Sequence, residues 1–334
     1  MSINSLNRIK ISRLISLVLL LAFGLLASGC LAEEPKVYRV GVLSGLGFLG
    51  EVTDGFKEGM TELGYVEGEN IIYDVQTTDF DMAAYQSALQ KFVDDEVDLI
   101  FVFPTEASLE AKAITAGTDI PVLFDFAFVE GMGLIDSVRE PGGNITGVRY
   151  PGPDMSLKRF EIMRELVPEA TQILIPYQKG YPIVAPQLEI LYPVAEAEGI
   201  TLIEAPAANA EELEEVLQAQ STDIDAIMLL AEPLAVAPDV FGLIGEFAEE
   251  RNIPIGGVLV SMEGFDTIYG LNANPFDSGK QAAPLADKIF KGTQAGTIPV
   301  LSAEGFLQIN YAAAQELGLT VDDGLLGQAA EIIR

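Results

Sequence analysis

Histidine and tryptophan are missing from the 334 residues, cysteine occurs once, and 19 Lys and Arg stand against 50 Asp and Glu. Each shortage excludes a class of chemistry. Without histidine there is no Ser-His-Asp or Cys-His catalysis and no histidine-ligated zinc. A single cysteine rules out an internal disulfide or a thiolate cluster. A formal charge of −31 leaves no basic stripe for phosphate, so nucleic acid is not an expected partner. What is present points to a folded body. A chain that is 49% hydrophobic and only 21% charged is far from a disordered composition, and its length suits two domains of roughly 100–200 residues each.

The first thirty residues read as an address. Arg8, Lys10 and Arg13 precede an apolar run from Leu14 to Ala27, shorter than the about 20 residues of a spanning helix and suited to a signal-peptide core. Ala27-Ser28-Gly29-Cys30 follows. It resembles a bacterial lipobox, which implies cleavage before Cys30 and lipidation of its thiol. The alternative is an uncleaved membrane anchor carrying an incidental cysteine. Either way the remainder is exported. Removing residues 1–29 takes three positive charges from the 19 and leaves 16 against 50 acidic residues, a formal charge of −34. Anionic lipid repels such a body, so the lipid tether alone would hold it at the membrane.

Beyond a short linker ending at residue 36, β-rich runs alternate with helical stretches, the mark of a parallel α/β sheet. Strands are expected at 37–43, 70–75, 98–103, 120–124 and 145–148, with helices at 52–63, 82–94 and 107–116. A second series begins with a helix at 156–166. Strands at 172–175, 201–204, 226–230 and 254–258 then alternate with helices at 187–197, 210–220 and 241–251. Two βα series of similar size predict two doubly wound parallel-sheet lobes joined by a hinge near 149–155. Residues 270–274 cross back, and a helix over 278–290 returns to the first lobe. The expected division is 1–29 signal peptide, 30–36 lipidated linker, 37–148 with 273–300 as lobe one, and 149–272 with 301–334 as lobe two.

Gly45-Leu46-Gly47-Phe48-Leu49-Gly50 is a literal G-x-G-x-x-G between a strand and a helix, and Asp74 stands at a tolerable distance for a ribose. Export, Glu51 and the acidic body all oppose a pyrophosphate. The reading taken is a flexible loop at the carboxyl end of the first strand, where open α/β sheets bind their ligands.

Gly55-Phe56-Lys57-Glu58-Gly59-Met60, Leu63-Gly64-Tyr65-Val66-Glu67-Gly68-Glu69-Asn70-Ile71 and Pro141-Gly142-Gly143-Asn144-Ile145-Thr146-Gly147 carry a resemblance. So do Val97-Asp98-Leu99-Ile100, Ile120-Pro121-Val122, Gln308-Ile309-Asn310 and Leu317-Gly318-Leu319. Together they resemble the substrate-binding lipoproteins of ABC importers, in the group that includes tryptophan- and phenylalanine-binding members. The resemblance implies a type I periplasmic-binding-protein fold with two lobes, three crossovers and one ligand in the cleft. It also implies a permease and an ATPase as partners. The chain departs from the usual family pattern at Asp125–Glu130 and at Gln178–Tyr181, both where the cleft is expected.

Binding residues in doubly wound lobes follow the carboxyl ends of the strands. The candidates are Ser44, Phe48, Thr105, Asp125 and Phe126 in lobe one, and Gln178, Tyr181 and Glu232 in lobe two. Phe48, Phe126 and Tyr181 offer aromatic walls, although each also suits core packing. Thr105 opens a helix whose free N–H groups suit a carboxylate, or it is an ordinary N-cap. Glu232 sits where the resemblance implies an acidic residue, with Asp125 expected opposite to pair with a ligand ammonium. The bland alternative for both is a solvated loop acid. Only Lys179 and Arg149 bring positive charge near these loops, which disfavours sulfate, phosphate and multi-carboxylate ligands.

The leading reading is a monomeric, lipid-anchored, extracytoplasmic solute receptor of an importer. It captures a small organic ligand, such as an aromatic or apolar amino acid, by hinge closure, with no catalysis, metal or cofactor. The alternatives are a ligand sensor for a signalling receptor and an exported carboxylate-dependent hydrolase, which acid–base pairs without histidine would permit.

Overall fold

The computed structural model describes residues 36–220 and 223–334. The expected signal peptide, Cys30 and the linker up to residue 35 lie outside the described residues.

The first sheet is built from β1 (Tyr38–Ser44), β2 (Ile71–Thr77), β3 (Leu99–Phe103), β4 (Val122–Ala127) and β5 (Ile145–Arg149). Between them run α1 (Gly50–Glu62), α2 (Met82–Asp94) and α3 (Thr105–Ile114). All five residues of β3, Leu-Ile-Phe-Val-Phe, are buried, because helices cover both faces of a parallel sheet and leave its central strand no wet side. The α2 helix starts where Asp81 accepts hydrogen bonds from the N–H groups of Ala83 and Ala84, satisfying two donors that the helix leaves over.

The second sheet follows α4 (Gly152–Leu166). It comprises β6 (Gln172–Gln178), β7 (Thr201–Ala207), β8 (Ala226–Met228) and β9 (Ile255–Gly257), interleaved with α5 (Val184–Ala197), α6 (Ala210–Gln218) and α7 (Pro238–Glu249). A small hairpin, β10 (Ser261–Met262) with β11 (Phe265–Asp266), precedes β12 (Tyr269–Ala273). Side chains of β6, and of β8 with the two residues that follow it, alternate between two cores. Ile173, Ile175, Met228 and Leu230 join one, while Leu174, Ile227 and Leu229 join the other. This is the period of two that a sheet buried on both faces imposes.

The chain then crosses back. α8 (Pro275–Phe290) packs on α1, and β13 (Leu301–Ser302) pairs with β5. A last crossing delivers β14 (Gly305–Asn310), α9 (Tyr311–Glu316), α10 (Asp323–Leu326) and β15 (Glu331–Ile333). The α1–α8 contact is close because both helices are bare where they meet. A Cβ on Gly55 would lie 1.9 Å from the Phe276 carbonyl oxygen, so no side chain fits there.

The strand orders are β13-β5-β4-β3-β1-β2 and β15-β14-β12-β9-β8-β6-β7. Each lobe steps from its first strand to an outer neighbour and then reverses, giving a switch point at β1/β3 in one and β6/β8 in the other. These are two doubly wound lobes. The second sheet is mixed at its end, since β14 runs antiparallel to β12.

Several helices start earlier than the apolar pattern suggests, among them those at Gly152, Pro238 and Pro275. These three carry proline at the first or second position, where the missing N–H costs nothing and the fixed φ favours the helical turn. Leu301 and Ser302 belong to the first sheet, although the sequence reading places residue 301 onward in the second lobe. Among the described residues, no helix is long and apolar enough to cross a membrane.

Candidate functional site

A cavity of about 640 Å³ opens between the lobes at the carboxyl ends of the strands. The loops at both switch points line it: Leu46 and Phe48 after β1, Thr105 after β3, Tyr181 after β6 and Glu232 after β8. Its size is typical of small-molecule sites. Among the described residues, its ionisable side chains, apart from tyrosine, are Asp79, Glu106 and Glu232, and no lysine or arginine lines it. Lys179 and Arg149, the two cations noted near these loops, are turned to acids elsewhere. Lys179 pairs with Glu212, and Arg149 with Glu130 and Asp154.

Phe48, Thr105, Phe126, Tyr181 and Glu232 of the sequence candidates line the cavity; Ser44, Asp125 and Gln178 do not. Phe48 sits on a one-turn 3-10 segment and is 72% exposed. The G-x-G-x-x-G loop that holds it is tied inward. The Gly45 N–H donates to the Phe103 carbonyl at 2.8 Å, and a Cβ at Gly45 would lie equally close to that oxygen. Ser44 is buried and its hydroxyl donates to Leu46 O at 3.3 Å, so it shapes the loop from behind.

Thr105 is the first residue of α3, and Pro104 holds the N-cap place. The threonine hydroxyl accepts instead from the Phe128 N–H at 3.0 Å, which joins the α3 start to the loop after β4. That strand is bulged. Its register against β5 shifts between Phe124 and Ala127, and Phe126 has φ +49°, an unusual conformation for a bulky residue. Bulges re-aim side chains, and here Phe126 enters the cavity wall while Asp125 turns inward. Tyr150 stacks on Phe128 at 5.0 Å and tilts against Phe126 at 5.4 Å, so three touching rings line the cavity together.

Asp125 does not face Glu232 across the cleft. It is fully buried, accepts from Ser278 Oγ at 2.5 Å and from the Phe126 N–H at 2.6 Å, and has no partner on Oδ2. Burial pushes its carboxyl up to about 7 against the pull of those two bonds. Glu232 is not a solvated acid either. It is 4% exposed and accepts three backbone N–H groups: Gln178 at 3.2 Å, Leu234 at 3.0 Å and Ala235 at 2.6 Å. Burial raises its pKa while the three donors oppose the rise. Gln178 thus takes part through its main chain, as a donor that ties the β6 loop to the β8 loop.

Tyr181 reaches across the cavity. Its hydroxyl donates to Glu106 Oε1 on α3, linking the second lobe to the first. Burial foremost, then Glu106, hold the phenol well above its ordinary pKa, so it stays a donor at any physiological pH. Asp79, Phe80, Tyr150 and Asn272 also line the cavity and are absent from the sequence candidates. Tyr150 directly follows β5, so the strand-end rule extended to that strand finds it. Among the described residues, no three His, Cys, Asp or Glu side chains are grouped to hold a metal.

Comparison with known proteins agrees with this geometry. Residues 42–333 match the family of ABC transporter substrate binding proteins. The chain is similar to a tyrosine-binding protein of Clostridioides difficile (strain R20291), with 28% identity over 262 residues that cover 77% of this chain and 73% of the relative. Among solved structures it is similar to the L-Trp complex of an ABC domain from Streptococcus pneumonia. That likeness has a TM-score of 0.77 and 22% identity, over 89% of this chain and 100% of the other. It is also similar to the ligand-free, open form of a substrate binding protein with adhesive properties from Clostridium difficile. Here the TM-score is 0.73 and identity 22%, over 89% and 99% of the two chains. At that identity the structural likenesses concern the fold, which is that of type I periplasmic binding proteins.

Proposed function

This chain belongs to the ABC transporter substrate-binding protein family, and on that premise we propose that it is the extracytoplasmic, lipid-anchored capture component of an importer. Its ligand is a small organic molecule with an aromatic or apolar body and an ammonium group, an aromatic amino acid being the first choice. One observation carries the ligand class: the inter-lobe cavity has aromatic walls and three carboxylates, with no lysine or arginine lining it among the described residues. A cationic group is favoured there, an isolated anion is not, and the rings supply area for a flat apolar body. The tyrosine-binding relative and the L-Trp complex support the same ligand class.

Capture works by closing two lobes around the ligand, with the Tyr181–Glu106 bond as one contact that forms between them. The ligand is held and handed to a permease and its ATPase without turnover. Ser44, Asp125 and Gln178 support the cavity from behind, while Phe48, Phe126, Thr105, Tyr181 and Glu232 face the ligand. Cys30 carries the tether.

Thermal unfolding of the purified mature protein against the twenty amino acids, their amines and several sugars tests the ligand class. A ligand bound only by the folded state raises the melting temperature with concentration. Tyrosine, tryptophan or phenylalanine is expected to give the largest rise. A rise with sugars alone would refute the ligand assignment, and consumption of the bound compound would refute capture without turnover.

A further inference from the structure

The second lobe buries a cation that has no counter-charge among the described residues. Arg159 on α4 is fully buried, and its hydrogen-bond partners are neutral: Leu271 O at 2.9 Å, Tyr150 Oη at 2.5 Å and Ser156 Oγ at 3.4 Å. A buried guanidinium normally demands a carboxylate, and this protein has acids in abundance, so the neutral setting calls for a physical account.

The bonds run in one direction. Arg159 Nη2 donates to the Tyr150 hydroxyl, which donates to Asn272 Oδ1 at 2.9 Å. The Ala273 N–H donates to the same oxygen at 2.9 Å. Two donors thus occupy the carbonyl side of the Asn272 amide, and its NH2 is the half left to donate. Both Asn272 and Tyr150 line the cavity. Charge-assisted bonds polarise the groups they end on. The chain from Arg159 therefore makes the Asn272 NH2 a stronger donor and fixes which way the amide points.

Asn272 thus adds a neutral, polarised donor to a lining in which Asp79, Glu106 and Glu232 supply negative charge. We propose that Asn272 recognises the carboxylate of a zwitterionic ligand, with Tyr150 and Arg159 as positioning residues behind it. The inference rests on the reading of the cavity as an amino-acid receptor and adds the ligand's polarity. Its carboxylate lies at the crossing segments, and its ammonium lies toward the acids. The guanidinium gives the ligand anion a favourable field without presenting a cation to the cavity.

The test uses two probes that differ only in the carboxylate, L-tyrosine and tyramine, measured by calorimetry on the mature protein. Wild type is expected to prefer L-tyrosine. Asn272→Asp keeps an acceptor for Tyr150 but replaces the NH2 with negative charge. It should weaken L-tyrosine by about 10- to 100-fold, the worth of a hydrogen bond to a charged group, while tyramine binds as well or better. Tyr150→Phe should weaken L-tyrosine several-fold and spare tyramine, a split that mere loosening of the fold would not produce. Melting temperatures of both variants confirm that they are folded, and Asn272→Ala repeats the test without added charge. Equal losses for both probes, or a wild type that prefers tyramine, would overturn the inference while leaving the receptor reading intact. A wild type that binds no aromatic amino acid would overturn both.

Discussion

Asp125 and Glu232 occupy comparable places, each near the carboxyl end of a strand in its own sheet and each buried, yet they are held by different groups. Glu232 is ringed by three backbone N–H donors. Asp125 has one such donor and one serine hydroxyl, and one of its oxygens is without a partner. Main-chain dipoles are fixed in place before the charge arrives and stabilise it without reorganising. The Asp125 setting offers too few of them to offset burial, and its carboxyl rises to about 7. Burial raises both carboxyls, but only at Glu232 do three main-chain donors oppose the rise, so that acid also organises the loops around it.

The largest test of this contrast is Glu232→Ala. It strips the acceptor from Gln178, Leu234 and Ala235 together and is expected to cost about 3 kcal/mol, taking each stranded donor at about 1 kcal/mol. Chemical denaturation would read the loss. Glu232→Gln, with one carbonyl to share, should fall between the two. A cost within experimental error for Glu232→Ala would mean that water replaces the ring and that the contrast is false.

A smaller effect is expected in pH. The folded state holds the Asp125 proton more tightly than the unfolded chain, whose carboxyl titrates near 3.8. The stabilisation is therefore complete below about pH 4 and is lost as pH rises through about 7. Asp125→Asn cannot titrate, so the stability of wild type relative to this variant should decline from pH 5 to pH 8. A constant difference across that range would show that Asp125 is ionised throughout.

The smallest effect concerns Glu106, an acid bound by a phenol rather than by main chain. Tyr181→Phe removes that single inter-lobe bond. It should change stability by about 1 kcal/mol and speed ligand release a few-fold in stopped-flow fluorescence. Unchanged release would demote the bond to a static contact.

Much of the fold was legible in the sequence because runs such as Leu99–Phe103 have no polar residue to place outside. The short strands β13 and β15, two and three residues long, carry too little pattern to be read. They exist only because neighbours across the sheet supply partners. The cavity was legible where a loop follows a strand, as at Phe48, Tyr181 and Glu232. It was not at Asp125, since a strand covered on both faces has no solvent side, and the bulge beside it decides which neighbour reaches the cavity. Asn272 escaped for another reason. Its role depends on Arg159, 113 positions away in sequence, and on Tyr150, 122 positions away, and no local spacing reveals such a chain.

The three crossings between sheets also bear on when the molecule can take shape. The first sheet is sealed by α8 and closed at one edge by β13, both of which come after residue 270. A nascent chain of 250 residues would hold nearly every strand of that half and still lack the helix that covers it. Completion therefore waits on the last segments, as contacts so distant in sequence form slowly. If the chain is exported unfolded, as the proposed role implies, such lateness keeps it pliable during the passage.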